Sequence, residues 1–72
     1  MSSSEPVHIT INGTPRELAA GSTVGDLLAQ LGLRPEVVAV EINRELAPRS
    51  TRAARTLAEG DAVELVTLVG GG

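Results

Sequence analysis

The chain has 72 residues and a formal net charge of −3, with six arginines, no lysine, nine acidic side chains and one histidine, His8. That length allows one domain with a small core, and the absence of cysteine excludes disulfides, thiolate metal sites and a thiol nucleophile. With no Phe, Tyr or Trp there is no ring for a base to stack on, and a mildly acidic chain without basic clusters suits neither nucleic acid nor an anionic membrane surface.

Residues 1–6 read as a disordered polar tail of Ser, Glu and Pro with nothing to bury. Val7-His8-Ile9-Thr10-Ile11 then alternates apolar and polar, the period of a half-buried strand with Val7, Ile9 and Ile11 inward. Asn12-Gly13 follows, a strong two-residue hairpin signal. A second strand, Thr14 to Ala19, pairs back antiparallel; Leu18 is its inward residue, and Pro15, which costs it a ladder donor, points to a sheet edge or a strand start.

Thr23 is a good N-cap, with Asp26 three residues on as the reciprocal acceptor of a capping box. Val24, Leu27, Leu28 and Leu31 then share one helical face. Gly32 marks a left-handed cap and Pro35 prevents continuation, so the helix runs for about eight or nine residues. Gly25 weakens it by up to about 1 kcal/mol relative to Ala.

A third strand covers Val38 to Asn43, with Val38, Val40 and Ile42 inward and Glu41 outward. Asn43-Arg44-Glu45 turns into a short fourth segment, Leu46 to Arg49. Residues 50–57 fit either a polar loop or one helical turn capped by Ser50 or Thr51. Residues 58–61 form a turn, and Ala62 to Val69 is the last and most apolar strand. Residues 7–69 therefore make one α+β domain of β-grasp type: a mixed sheet of four or five strands wrapped around one helix.

Catalytic constellations are nearly absent. His8 lies on the outward face of a strand with no oriented partner for nucleophilic catalysis, and alone it cannot hold a metal ion. Glu59 and Asp61 flank a glycine turn, where solvated turn residues are the ordinary outcome. No catalytic residue and no metal ligand is assigned, and the chain is expected not to be an enzyme. No apolar run approaches the roughly 20 residues that span a bilayer, and residues 1–6 lack the order of a secretory signal. A cytoplasmic protein is expected.

The chemistry points to the other end. Gly70-Gly71-Gly72 follow directly on the last strand. No helix follows them, so they do not form a phosphate-binding loop. From Val69 to Gly72 an extended chain reaches about 13 Å at about 3.3 Å per residue. Such a filament, free of side chains over its glycines, can thread a narrow channel into a partner's active site. The carboxylate of Gly72 has no Cβ beside it. If Val63, Leu65 and Thr67 face the helix, then Glu64, Val66 and Leu68 face outward; Val66, Leu68 and Val69 are the expected partner-docking residues.

The run from Val38 to Arg49 and the ending from Glu59 to Gly72, together with the Asn12-Gly13 hairpin and the Thr23-Val24 helix entry, resemble the sulfur carriers of thiamine biosynthesis, the ThiS family. All but residues 1–6 shares the likeness. The terminal glycines are common to ubiquitin-like proteins, whereas the Asn43 to Pro48-Arg49 spacing with a Phe-free ending is more specific. A third glycine exceeds the final pair found in many relatives.

The resemblance implies a ubiquitin-like β-grasp fold and a defined cycle. A ThiF-like adenylating enzyme using ATP and magnesium would activate Gly72. Sulfur from cysteine, delivered through a cysteine desulfurase, would then form a thiocarboxylate that a ThiG-like thiazole synthase accepts. No cofactor is bound permanently, and neither nucleic acid nor membrane takes part. The rival readings are the small subunit of molybdopterin synthase, a carrier for tRNA thiolation, a protein modifier that joins Gly72 to a target lysine, and a plain interaction module. Having no lysine, the chain could not build lysine-linked polymers of itself.

Overall fold

The computed structural model describes residues 5–68, and the expectations placed on residues 1–4 and on Val69, Gly70, Gly71 and Gly72 lie outside it. β1 (Val7–Ile11) and β2 (Thr14–Leu18) form the expected hairpin, closed by Asn12 and Gly13 at φ +51° and +85°. Both central residues of a type I′ turn take positive φ, which asparagine and glycine tolerate best. Pro15 lies opposite Thr10 on an edge strand, where its missing N–H costs least.

Helix α1 (Val24–Gln30) opens with the full capping box. The Asp26 N–H donates to Thr23 Oγ1 at 3.1 Å, and the Thr23 N–H donates to Asp26 Oδ2 at 3.0 Å. It closes at Gly32, φ +72°, where the Leu33 N–H reaches the Leu28 carbonyl and the Gly32 N–H that of Ala29. This double bond pattern satisfies carbonyls the last turn would otherwise leave bare. Gly25 packs closely on the crossing segment: a Cβ there would lie 3.0 Å from the Ala53 carbonyl oxygen, so that backbone would have to give by a few tenths of an ångström. The helix start is further tied to the crossing segment by the Val24 N–H to the Arg55 carbonyl.

A single 3-10 turn (Pro35–Val37) leads into β3 (Val38–Ile42), which a second two-residue turn joins to β4 (Glu45–Leu46). Asn43 and Arg44, at φ +54° and +70°, end β3 one residue earlier than expected, because positive φ leaves the strand conformation. Residues 50–57 resolve in favour of one helical turn, α2 (Arg49–Arg52). Pro48 stands at its N-cap in place of Ser50 or Thr51, with its fixed φ leading the chain into the turn.

The last strand, β5 (Ala62–Thr67), lies in the middle of the sheet, whose order is β2-β1-β5-β3-β4. It runs parallel to β1 and antiparallel to β3. The sheet's inner face and α1 enclose an all-aliphatic core that includes Ile9, Leu18, Val24, Leu27, Leu28, Val40, Ile42 and Val63. This is a five-stranded β-grasp. Thr67 has the inward phase yet is exposed, at the end of its strand.

Candidate functional site at the root of the glycine tail

Asparagine side chains from both turns hold β5. Asn12 accepts the Leu65 N–H at 2.9 Å and donates to the Leu65 carbonyl at 3.2 Å. Its amide thus continues the β1 ladder beyond the last residue of β1. Asn43 accepts the Ala62 N–H at 3.0 Å and donates to Asp61 Oδ1 at 3.0 Å. Asp61 Oδ2 in turn accepts the Ala58 N–H, so this carboxylate orders the turn. At the far end the Leu68 N–H donates to the Val37 carbonyl at 2.6 Å. The strand is therefore bonded along its length up to the residue before Val69.

Arg52 is the functional-region residue that sequence reasoning missed. Only 3% exposed, it donates to the Val38 carbonyl at 2.8 Å and to the Pro35 carbonyl. β4 pairs only with Glu41 and Ile42, so the other end of β3 has an open edge. The guanidinium stands in for the missing strand there. Burial, and then the neighbouring Arg49, lower its pKa, but an arginine keeps its proton throughout the neutral range. The available signal was an arginine inside an otherwise small and polar stretch, which composition alone does not separate from a solvated one.

Val66 and Leu68 are placed as expected, 59% and 50% exposed, and Glu64 is exposed with them. Leu46, 68% exposed, joins them from β4. Leu46, Pro48, Arg49, Ala39 and Leu68 line a shallow, mainly apolar hollow of about 260 Å³ beside the strand end. Val66→Asp is expected to weaken partner binding about tenfold or more. Because the side chain is exposed, the same change should alter stability by no more than about 0.5 kcal/mol. Titration calorimetry and thermal melting together check both halves.

His8 is exposed, as expected, but it is not idle. Its N–H donates to Glu59 Oε1 at 2.8 Å, and its ring nitrogens lie 3.3 Å from Glu59 and 3.4 Å from Glu17. The backbone hydrogen bond from His8 is the main cause holding the Glu59 carboxyl below its usual range. A depressed carboxylate pKa adds stability above the unfolded value, lost as pH falls through the folded one. Glu59→Gln is therefore expected to narrow its stability gap from the wild type as pH drops through the carboxylate range, measured by urea unfolding across pH. No group of three or more metal-ligating side chains occurs among the described residues, and none of their helices is long and apolar enough to cross a membrane.

The model of the ThiS family matches residues 9–72, nearly the whole domain and the glycine tail. The chain belongs to the ThiS family. Among curated relatives of this ThiS-family chain, the sulfur carrier protein ThiS of Escherichia coli is 35% identical over 66 residues, covering 92% of this chain and all of that protein. A thiazole synthase of Magnetococcus marinus is 45% identical over 64 residues, covering 89% of this chain. There the chain spans only 20% of the relative's length.

The crystal structure of the thiamine biosynthesis protein ThiS from Geobacter metallireducens superposes with a TM-score of 0.77 at 38% identity. It covers 92% of this chain and all of that one. A ubiquitin from Caldiarchaeum subterraneum, 22% identical with a TM-score of 0.56, covers 97% of this chain and all of its own, and shares the fold. The ThiS-family fold is thus ubiquitin-like.

Proposed function

We propose that this protein is a sulfur carrier for thiamine biosynthesis whose cargo is borne by the carboxyl group of Gly72. The observation that carries the reading is a central strand, Ala62–Thr67, paired with β1 and β3 and followed in the sequence by Leu68, Val69 and then Gly70-Gly71-Gly72, in a ThiS-family chain. In the cycle, a carboxylate oxygen of Gly72 attacks the α-phosphorus of ATP, and pyrophosphate leaves. The carbonyl carbon then carries AMP, a far better leaving group than oxide. Sulfur mobilised from cysteine by a desulfurase arrives as a persulfide, whose outer sulfur attacks that carbon as AMP departs. A thiol then reduces the S–S bond of the resulting acyl disulfide and leaves the thiocarboxylate on Gly72.

A ThiF-like partner supplies the ATP and magnesium chemistry, and a ThiG-like thiazole synthase takes the sulfur. A thiazole synthase that itself contains a segment similar to this chain supports that acceptor. Gly70 and Gly71 provide a thin reach into the partner's site, while Val66, Leu68 and Val69 dock. The carrier contributes address and delivery, and catalysis belongs to the partners.

The test is ATP–pyrophosphate exchange by the cognate adenylating enzyme with magnesium. Exchange that requires the full chain, and stops when Gly71 and Gly72 are deleted, is expected. Exchange indifferent to the deletion would favour a plain interaction module.

A further inference from the structure

The outer face of the sheet combines an apolar patch with an unbalanced charge. Strand register places Glu41 directly opposite Glu64, with Leu46 beside Glu41 on the outer strand. Two residues along, Ala39 faces Val66, and Leu68 lies beyond them at the hollow. Cβ atoms of directly opposed residues lie about 4.5–5.5 Å apart, so two like charges there repel in the free protein.

Neither Glu41 nor Glu64 has a cationic side chain within ion-pair distance among the described residues. Of the other ionisable side chains near this face, His8, Glu17 and Glu59 pair among themselves toward the opposite edge, and Arg49, which lines the hollow, makes no ion pair with either glutamate. Arg16 shares the phase of Ile9 and points to the inner side, and Arg52 is committed to the Val38 and Pro35 carbonyls.

We infer that this face docks a protein surface in which an arginine or lysine enters between Glu41 and Glu64. An apolar side chain beside that cation covers Leu46, Val66 and Leu68 and fills the hollow at Pro48. One cation reaches both carboxylates at strand spacing, removing their mutual repulsion while the apolar rim excludes water around it. The charge thus specifies what covers the apolar patch. This inference rests on the reading that a partner enzyme activates Gly72, and that enzyme is the occupant. Leu68, on this face, precedes Gly72 by four residues in the sequence, so a partner docked here holds the chain within an extended reach of about 13 Å of the acyl group it acts on.

The experiment is calorimetric binding of the cognate adenylating enzyme at low and high salt, using wild type, Glu41→Gln/Glu64→Gln and Glu17→Gln. The double variant is expected to bind about tenfold more weakly at low salt and to lose most of the salt dependence. Its thermal midpoint should not fall, because a repulsive pair has been removed. Glu17→Gln, on the same face but two strands away from β5, should bind as wild type. Charge reversal, Glu41→Arg/Glu64→Arg, should lose more than the neutral pair.

Equal binding by wild type and the double variant would overturn the inference, as would an equal loss in Glu17→Gln, which would mean diffuse charge rather than a docked cation. Wild type that binds yet is never adenylated would sink the sulfur-carrier reading while leaving this comparison decisive. Wild type that does not bind at all would overturn both.

Discussion

Arg52→Met is expected to destabilise the domain by about 1–3 kcal/mol, chiefly because the buried Val38 carbonyl, and less so the part-buried Pro35 carbonyl, is left without a donor. The guanidinium serves the Val38 and Pro35 carbonyls at once, in a residue only 3% exposed. Methionine keeps much of the volume but donates no hydrogen bond. Domains of this size hold about 0.05–0.15 kcal/mol per residue in total, so the loss is a large fraction of the whole. The urea midpoint should drop sharply with little change in slope. Arg52→Lys should recover part of the loss, since an ammonium can serve one carbonyl but lacks the planar fork. Arg49→Met, at an exposed neighbour, is the control and should shift stability by no more than about 0.5 kcal/mol. Because β3 carries one side of β5, a loosened β3 edge also loosens the root of the glycine tail.

Adding one alanine after Gly72 is expected to abolish sulfur loading while leaving the melting curve unchanged. The reacting carbonyl then belongs to a residue with a Cβ, displaced by about 3.3–3.6 Å along an extended chain. A misplacement of about 1 Å can already cost about a hundredfold in rate. The core residues of the described domain end at Val63 and Leu65, so they should not register an addition after Gly72. Unchanged loading of the extended chain, read by intact mass, would show that Gly72 is not the acceptor.

Most of the fold was legible because its signals are local. Asn12-Gly13 specifies a turn that needs two positive φ angles, and Thr23 with Asp26 specifies a helix start. Gly32 specifies the helix end, and period-two alternation sets the phase of β5, so Val66 and Leu68 were correctly read as exposed. What the residues did not reveal is non-local. The insertion of β5 between β1 and β3 depends on pairing across most of the chain.

The opposition of Glu41 and Glu64 exists only once that register is set. Arg52 looked like one more solvated arginine, and its burial follows from an edge of β3 that β4 is too short to cover. Leu46 was missed as a surface aliphatic because a two-residue strand has no readable period. The three closing glycines stand out in the sequence because no fold requirement explains them after an apolar strand, and they lie outside the described residues.

The most direct measurement is the intact mass of the protein after incubation with its adenylating enzyme, ATP, magnesium and sulfide, with fragmentation to locate any change. The account predicts one oxygen replaced by one sulfur, confined to Gly72 and dependent on ATP. A mass that stays at the oxygen acid while ATP is consumed, or a sulfur located elsewhere in the chain, would contradict it.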